Sequence, residues 1–460
     1  MKKRDPAAVE SVGKADALYL GVDAPPDYSE AMKWYRRAAD MGDAPGQLNV
    51  AFMYMKGHGV PQDDREAEKW IRLAADQGFI DAQYCLATFL GAGGNEAEAI
   101  KWFKLAAEGG HPRAQTDLGV FYGQDNEFLP RDDREAAKWL RRAALEGVAE
   151  ACYRYGVMLN EGRGVAQDDR EAAKWHKLAA EKGLREGLFE YGLVLLNGRG
   201  VPKDSVKATE CFRQAAQLGD VQCQYNYALM LLTGRGVEKD LEGAMEWLKK
   251  AAGSGLASAQ YVIGTLLQAG RGVAQDFVEA AKWYRRSAEQ GYAPAQDTLG
   301  RMYEDGQGVP KDFAQALKWY RLGAEQGFEY AQADLGFMYL DGKGVRKDYA
   351  EALKWIVLAA ARGVPAAILN LGRILEKGLG VSRDLEKAAD MYLRGAEMGS
   401  VECMKNMARV LDRGLGVPKD PAEAERWRNK AREAKAMSGW SDTGEGFDDP
   451  PAGGSGSRNH

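Results

Sequence analysis

Apolar residues recur at helical spacing along most of the chain. In the stretch 295–303, Leu299, Met302 and Tyr303 occupy positions i, i+3 and i+4, so they share one face of a helix. A glycine-bearing turn follows, and after it comes a second apolar pattern whose shared form is EAxKWYRxAAExG. The two patterns predict a pair of helices joined by a short turn.

The turn recurs at a fixed period. A segment of the form GxGVxxD begins at glycines that lie 36 residues apart: Gly162, Gly198, Gly234, Gly270, Gly306, Gly342, Gly378 and Gly414. Repeats of this length are typical of helical solenoids, in which stacked hairpins share one continuous core. We therefore predict an all-α solenoid of about eleven to twelve helical hairpins, rather than the separate domains that 460 residues would otherwise suggest.

The residues of the turn have distinct predicted roles. Gly306 is expected to end the first helix in the left-handed conformation, and Gly308 to permit a second tight bend. Val309 is expected to fill the core beneath the turn, and Asp312 to cap the second helix. A cap residue stands seven positions before the tryptophan position of every repeat, at Asp27, Asp63, Asn95, Asp132, Asp168, Asp204, Asp240, Asp276, Asp312, Asp348, Asp384 and Asp420. These caps indicate twelve second helices.

Two positions inside the helices are also restricted in residue type. Gly300 lies mid-helix, where glycine costs about 1 kcal/mol relative to alanine, and glycine or alanine fills its counterparts. We therefore expect the first helix to approach a neighbouring helix closely. Tryptophan is the commonest residue at the centre of the second helix, and we expect it to pack inside each hairpin: Trp34, Trp70, Trp102, Trp139, Trp175, Trp247, Trp283, Trp319, Trp355 and Trp427.

Two neighbouring repeats depart from the pattern. The turn at 91–95 is four residues shorter than the others, and GQDNEFLPRD replaces the glycine turn at 123–132. The pattern gives no physical reason for either change.

The repeated form AQxxLGxMYxxGxGVxxDxxxAxKWYxxAAExG resembles the Sel-one-like repeat family, a relative of the tetratricopeptide repeats, from about residue 27 to 435. The resemblance implies a right-handed α-α superhelix of antiparallel helix pairs, with the first helices lining its concave side. It also implies an adaptor or scaffold, since most family members hold macromolecular complexes together, often in bacterial signalling or envelope systems. One secreted branch of the family has a disulfide in each repeat, and this chain lacks that regular cysteine pairing.

On this basis the chain divides into three parts. Residues 1–26 are expected to form an N-terminal capping helix, residues 27–435 the repeat solenoid, and residues 436–460 a disordered acidic tail rich in Gly, Ser, Asp and Pro.

Composition narrows the class of protein. The chain has 62 basic and 67 acidic residues and a net charge of −5, without the basic excess that is typical of nucleic-acid binding. Its five cysteines, with no CxxC motif, favour free thiols in a reducing compartment. No apolar stretch is long enough to cross a membrane, and the N-terminus lacks the apolar region of a signal peptide. We expect a cytoplasmic protein, and a periplasmic location stays open in case a leader has been removed.

The sequence offers no constellation that is typical of catalysis or metal binding. The glycine turns follow helices and lack the GK[ST] motif of a phosphate-binding loop. The histidines, His58, His111, His176 and His460, have no partner at metal-ligand spacing. Most carboxylates fall near helix N-termini, where they suit the helix dipole. We therefore predict a protein that is not an enzyme and that holds neither a metal nor a cofactor.

Specificity is expected where the repeats differ. On the presumed inner face of the first helices, an apolar and aromatic strip runs through consecutive repeats beside a few polar residues, a pattern typical of a groove for a peptide or a partner helix. The predicted partner-binding residues are Tyr153, Arg154, Val157, Phe189, Glu190, Leu193, Tyr225, Asn226, Leu229 and Tyr261. Farther along the chain the same positions turn polar, at Asp297, Arg301, Asp334, Arg373, Lys405 and Arg409. Ordinary packing between repeats is the alternative explanation of the aromatic row.

The function that follows is a scaffold or adaptor that holds a partner protein or peptide in its concave groove, as a monomer or weak homo-oligomer. Family analogy leaves open a toxin-neutralising immunity protein or an effector chaperone. Because aromatic rows also stack on sugars, a glycan-binding or regulatory module is the alternative from another class. Neither nucleic acid binding nor membrane insertion is expected.

Overall fold

The computed structural model describes residues 4–22 and 24–441, and every regular element in those ranges is an α-helix. The helices are α1 (Pro6–Leu20), α2 (Tyr28–Asp40), α3 (Ala44–Lys56), α4 (Asp64–Asp76), α5 (Ile80–Ala92), α6 (Glu96–Glu108), α7 (Pro112–Tyr122), α8 (Asp133–Leu145), α9 (Ala149–Glu161), α10 (Asp169–Glu181), α11 (Arg185–Asn197), α12 (Ser205–Gln217), α13 (Val221–Thr233), α14 (Leu241–Gly253), α15 (Ala257–Ala269), α16 (Phe277–Glu289), α17 (Ala293–Asp305), α18 (Phe313–Glu325), α19 (Glu329–Asp341), α20 (Tyr349–Ala361), α21 (Pro365–Lys377), α22 (Leu385–Glu397), α23 (Val401–Arg413) and α24 (Pro421–Ser441). Odd-numbered helices are the first helices of the repeats, and even-numbered helices are the second.

The helices group into two compact units. Unit 1 (Met1–Asp240) contains α1–α13, and unit 2 (Leu241–His460) contains α14–α24. Within each unit, every helix packs against its neighbours in sequence. This is the all-α, solenoid-like arrangement that the repeat period predicts.

The ends of the chain lie as follows. Helix α1 falls inside the predicted capping segment 1–26 and packs against α2. Helix α24 continues to Ser441, so the predicted tail 436–460 begins inside a helix and, from residue 442, lies outside the described residues.

The predicted caps are confirmed for eleven of the twelve second helices, all but α14. The Oδ1 atom of Asp312 accepts hydrogen bonds from the backbone N–H groups of Ala314 at 2.9 Å and Gln315 at 3.0 Å. Gly306 ends α17 in the predicted left-handed conformation, with φ of 78°. The same aspartate cap begins α2, α4, α8, α10, α12, α16, α20, α22 and α24.

The second glycine of the turn is required by a contact with the preceding repeat. Gly308 has φ of 68°, and a Cβ atom there would overlap the backbone carbonyl of Phe277 at the start of α16. Gly164 stands in the same relation to Asp133 at the start of α8. Each turn therefore rests on the N-terminus of the second helix in the preceding repeat, a reason for glycine that lies outside the turn itself.

The predicted close approach of the helices is confirmed, and its partner is a residue of the same hairpin. A Cβ atom on Gly300 would lie 2.7 Å from ring carbons of Tyr320. Gly264 has the same 2.7 Å relation to Tyr284 in the preceding repeat. The small residue of the first helix thus makes room for a large side chain of the second.

That large side chain corrects the expected role of tryptophan. Tyr284 is fully buried, whereas the preceding Trp283 is only half-buried, with the guanidinium carbon of Arg286 lying 4.7 Å from its ring centroid. Trp139 and Trp319 are buried, at 6% and 7% exposure, but most of the other tryptophans are half-buried. The residue after tryptophan is therefore the centre of the hairpin core, because the helix turns that side chain toward the small residue of its partner.

Buried glutamines join successive repeats. The Nε2 atom of Gln296 donates a hydrogen bond to the backbone carbonyl of Ala288, near the end of the preceding second helix, at 3.0 Å. Gln326 in turn donates to Oε1 of Gln296 at 2.8 Å. The same glutamine-to-carbonyl bond recurs at Gln47, Gln115, Gln224, Gln260 and Gln332. These bonds satisfy carbonyl groups that a helix end leaves without intrahelical donors.

The irregular loop at 123–132 keeps an apolar residue at the position of the valine in the regular turn, which is half-buried at Val309. Leu129 stands three residues before the cap Asp132, as Val309 stands before Asp312, and it is buried at 5% exposure. Asn126 holds the loop in shape, since its Oδ1 atom accepts hydrogen bonds from the backbone N–H groups at 128 and 129. A leucine and an asparagine-centred turn thus replace the valine and glycines of the other repeats.

Candidate functional site

The predicted partner-binding residues lie on first helices of both units. Those from Tyr153 to Leu229 are carried by α9, α11 and α13 of unit 1, and Tyr261 is carried by α15 of unit 2. Tyr225 is buried at 8% exposure, and the other nine residues are half-buried. In unit 1, α9 contacts α11, so the residues on these two helices lie on adjacent elements.

The aromatic residues of this set pack mainly inside their own hairpins. The ring of Tyr153 lies 6.3 Å from that of His176 in α10, and the ring of Phe189 lies 6.3 Å from that of Phe212 in α12, measured between centroids. In unit 2, Tyr261 lies 5.5 Å from Tyr284. Each ring therefore covers the core residue of its hairpin and leaves part of its surface to solvent.

The polar members of the set differ in how free they are. Arg154 forms an ion pair with Glu150, one turn away in the same helix, at 2.5 Å. Asn226 donates a hydrogen bond to the backbone carbonyl of Gln222 at 2.8 Å. Glu190 is half-buried, and burial raises the pKa of its carboxyl group, whereas nearby Arg199 opposes the shift. Glu190 is thus the polar residue of this set whose charge depends most on its surroundings.

A buried histidine lies beneath the aromatic row, and the sequence had shown only that it lacks a partner at metal-ligand spacing. His176 is fully buried at the core position that Phe212 fills in the next repeat, and its Nε2 atom lies 3.0 Å from Nδ2 of Asn160. Its Nδ1 atom is buried without a hydrogen-bond partner in the structure. Burial lowers the pKa of His176 to about 4, with a smaller contribution from Arg199. The sequence signal was a histidine at a position that ten other repeats fill with tyrosine, phenylalanine, leucine or isoleucine and the last repeat fills with arginine.

In unit 2 the polar positions of the first helices form a charged cluster. Asp297 of α17 is almost fully buried, at 1% exposure, and its Oδ2 atom accepts a hydrogen bond from Nη2 of Arg301. Asp334 of α19 lies with Oδ2 3.8 Å from Nε of the same arginine. Burial raises the pKa of Asp334 to about 7, and the neighbouring Asp297 carboxylate adds to the rise. Asp297, Arg301 and Asp334 are therefore in contact across two first helices. From the sequence alone, these positions were recognised only as polar.

The other polar positions of the first helices lie outside this cluster. Arg409 forms two hydrogen bonds to Glu376, at 2.8 and 2.6 Å, and Lys405 pairs with Glu402 at 2.6 Å. Arg373 is exposed. Arg409 and Lys405 thus form separate ion pairs and do not extend the cluster around Asp297.

Three further properties of the described residues bear on function. Across 4–22 and 24–441, no group of three or more His, Cys, Asp or Glu side chains is placed to hold a metal ion. In the same part of the chain, no helix is both long and apolar enough to cross a membrane. All five cysteines are free thiols.

A comparison with protein families decides the classification. The model described as Sel1 repeat matches residues 8–43, 44–79, 80–111, 112–148, 149–184, 185–220, 221–256, 257–292, 293–328, 329–364, 365–400 and 401–435. The chain belongs to the Sel1 repeat family. Each match covers two consecutive helices, so the predicted all-α solenoid of about eleven to twelve hairpins is confirmed, and the number of repeats is twelve. Sel1 repeat proteins generally act as scaffolds for protein interactions.

Solved Sel1 repeat structures are similar over most of the chain. One is c5321, a protective antigen of uropathogenic Escherichia coli strains with an SLR fold, at 32% identity and a TM-score of 0.76, covering 89% of this chain and 90% of that one. Another is a Sel1 repeat protein from Oxalobacter formigenes, at 33% identity and a TM-score of 0.56, covering 70% of this chain and 93% of that one. The immunity protein Pa5087 from Pseudomonas aeruginosa is more distant, with 20% identity, a TM-score of 0.32, and coverage of 47% of this chain and 84% of that one. A comparison with curated proteins found no match.

Proposed function

We propose that this Sel1 repeat protein is a non-enzymatic scaffold that binds an apolar segment of a partner protein along α9, α11 and α13 of unit 1. The observation that carries the proposal is a row of half-buried aliphatic residues, Val157, Leu193 and Leu229, at the same position of three consecutive first helices. Their exposed parts offer apolar surface that a partner would remove from water. Tyr153 and Phe189 lie four residues before the first two members and extend the row. We call these five residues the first-helix strip.

The chemistry of the first-helix strip favours a polypeptide over a sugar. Sugar binding uses open aromatic faces with hydrogen-bonding groups beside them, whereas the rings of Tyr153 and Phe189 pack on His176 and Phe212. Aliphatic side chains provide the rest of the strip, and they match the apolar anchors of a helix or an extended peptide. Glu190, half-buried beside Phe189 in α11, would favour a cationic or hydrogen-bond-donating residue in that segment.

The likeness to the immunity protein gives the toxin-neutralising alternative no support, because its TM-score is 0.32. The proposal therefore names a class of partner, an apolar protein segment, and no particular protein.

A pair of matched double variants tests the proposal. Leu193→Gln with Leu229→Gln places polar groups in the strip, whereas Leu73→Gln with Leu105→Gln does the same at leucines of the second helices α4 and α6 that are 48% and 46% exposed. Partners are captured from a lysate of the source organism by the wild-type chain and by both variants, and then identified by mass spectrometry. The binding affinity of a captured protein, once purified, is measured by calorimetry.

The expected result is loss of affinity only in the strip variant. Burial of each leucine contributes about 1 kcal/mol or more, so the two substitutions together should weaken binding at least tenfold. A circular-dichroism spectrum identical to that of the wild type shows that the helices remain. Equal binding by the wild type and by the strip variant would rule out this surface.

A further inference from the structure

In six of the twelve repeats, a glutamate three residues after the helix cap pairs with a lysine three residues farther on. Glu351 of α20 has this relation to Lys354, with 3.5 Å between Oε2 and Nζ, and Glu279 of α16 to Lys282, at 2.8 Å. In α20 the residue after this lysine is Trp355. Its Nε1 atom donates a hydrogen bond to the same carboxylate, with 3.2 Å to Oε2 of Glu351. One carboxylate therefore serves both a lysine and a tryptophan N–H.

Helix α18 lacks this carboxylate because glutamine, Gln315, stands in the glutamate position. Lys318 makes no ion pair with any residue that the structure describes, although its counterparts Lys282 and Lys354 do. The Nε1 atom of Trp319 is buried without an acceptor, in a side chain that is only 7% exposed. The single change from glutamate to glutamine thus leaves two donors without the anion that α20 provides.

Another repeat shows that an indole without an acceptor is not sufficient by itself. Trp175 of α10 also has a buried Nε1 atom with no partner. In that repeat Glu171 is present and pairs with Lys174 at 2.6 Å. The carboxylate is therefore there, and only the indole N–H lacks a hydrogen bond to it. In α18 the carboxylate itself is missing.

The two residues that carry these donors line a cleft of about 440 Å³ in unit 2, and the Nε1 atom of Trp319 is buried in its wall. Lys318, Trp319 and Gln315 form one wall, and Arg285, Tyr303 and Lys311 form the others. Arg285 donates a hydrogen bond to the hydroxyl group of Tyr303 at 2.5 Å.

The charges around this cleft favour an anion. Within the described part of the chain, neither Arg285 nor Lys311 forms an ion pair, so both cations stand uncompensated beside Lys318. The two carboxylates at the cleft do not replace the missing one. Asp312 accepts the cap hydrogen bonds of α18, and Glu289 is exposed on α16.

We propose that this cleft binds the carboxylate of an acidic side chain of a polypeptide, in the place of the missing glutamate. A lysine ammonium and an indole N–H are the groups that hold the Glu351 carboxylate in α20, and charge-assisted hydrogen bonds of this kind are the stronger ones. The volume accommodates an amino-acid side chain. This site shares no residue with the first-helix strip and does not depend on the function proposed for that strip.

The indole N–H of Trp319 reports directly on the site. The full chain is labelled with ¹⁵N-tryptophan, and Trp319→Phe identifies the resonance of that indole. The probes are N-acetylglutamic acid α-amide, which has one carboxylate, its neutral counterpart N-acetylglutamine amide, and inorganic phosphate. The proposal predicts a saturable shift of the Trp319 resonance with the carboxylate probe and none with the neutral amide. No shift with the carboxylate, or a shift with phosphate alone, overturns it.

Two exchanges of glutamine and glutamate complete the test. Gln315→Glu supplies the carboxylate internally, so the Trp319 resonance should move without any probe and should lose its response to the glutamate probe. Glu351→Gln removes the carboxylate of α20, where Arg321 also donates to the hydroxyl group of Tyr339, and should make the Trp355 resonance respond. Unchanged titration of Gln315→Glu, or a silent Trp355 in Glu351→Gln, overturns the assignment to the missing glutamate.

Discussion

Gly300 of α17 lies against the ring of Tyr320 of α18, and a Cβ atom added to Gly300 would lie 2.7 Å from two carbons of that ring. Tyr320 is fully buried, and its hydroxyl group donates to Glu304 of α17 at 3.0 Å. The ring is therefore held in place by burial and by this hydrogen bond. The glycine is a requirement of packing between the two helices of the hairpin.

Gly300→Ala should destabilise the protein despite the better helix propensity of alanine. Propensity favours alanine by about 1 kcal/mol, and the overlap with Tyr320 should cost about 1–3 kcal/mol, so we expect a net loss. Gly253→Ala at the end of α14 is the matched control, because a Cβ atom there meets nothing within 4 Å. The urea midpoint should fall for the first variant and stay equal or rise for the second. Equal midpoints would show that the hairpin relaxes around the added methyl group.

Tyr284 should contribute more to stability than its neighbour Trp283, although tryptophan is the larger residue. Tyr284 is fully buried and its hydroxyl group donates to Gln268 at 2.7 Å, whereas Trp283 is half-buried. We expect Tyr284→Ala to cost about 3–5 kcal/mol and Trp283→Ala about 1–2 kcal/mol. Urea unfolding followed by circular dichroism compares the two. A larger loss for Trp283→Ala would restore tryptophan as the core residue.

Trp283 and Tyr284 also show how much of the fold could be predicted from the sequence. Caps, left-handed glycines and the small residue of the first helix follow local rules over a few residues, and the pattern predicts them correctly at Asp312, Gly306 and Gly300. The choice between Trp283 and Tyr284 depends on how the second helix is rotated against the first. Both residues are aromatic and adjacent, so the pattern could not decide between them.

The sequence also could not predict which polar residues are buried in the core. Asp297 and His176 stand where a sequence pattern predicts exposed or apolar side chains, and the structure buries both. Gln315 stands where other repeats have a glutamate three residues after the helix cap, but its meaning depends on Lys318 and Trp319, whose partners only the folded arrangement reveals. For the first-helix strip, the sequence was sufficient to identify the residues but not to show how far each one is exposed.

Unit 1 should lose stability in acid because of His176. Burial lowers its pKa to about 4, below the value of about 6.5 in an unfolded chain, so the folded state favours the neutral ring. The stabilisation is complete above about pH 6.5 and is lost as the pH falls toward 4, by at most about 3 kcal/mol. His176→Phe should flatten the dependence of the urea midpoint on pH between these values.

The converse variant checks that the effect comes from the buried position. Phe212 fills the same core position in the next repeat and is fully buried against Gly192. Phe212→His should add acid sensitivity to the protein. If His176→Phe keeps the full pH dependence of the wild type, another group is responsible for it.

Unit 2 should respond to pH in the opposite direction through Asp334. Burial and the Asp297 carboxylate raise the pKa of Asp334 to about 7, whereas Arg301 opposes the rise and Glu304 adds to it. A carboxyl group whose pKa is raised on folding stabilises the folded state fully below its unfolded value of about 3.9, and this stabilisation is lost as the pH rises through about 7. The stability of unit 2 should therefore decline between pH 4 and pH 8 by more than its exposed carboxylates explain.

Asp334→Asn should remove that decline. The amide has no charge to lose, and its N–H group can donate to the Oδ1 atom of Asp297, which is buried without a partner. We expect a gain of about 1–3 kcal/mol at pH 8 and little change at pH 5, measured by urea unfolding at both values. Asp341→Asn is the control, since Asp341 is exposed at the end of the same helix, and it should shift neither midpoint. The same gain at both pH values would mean that Asp334 is ionised throughout, because a group that does not titrate in this range cannot make the effect of its removal depend on pH.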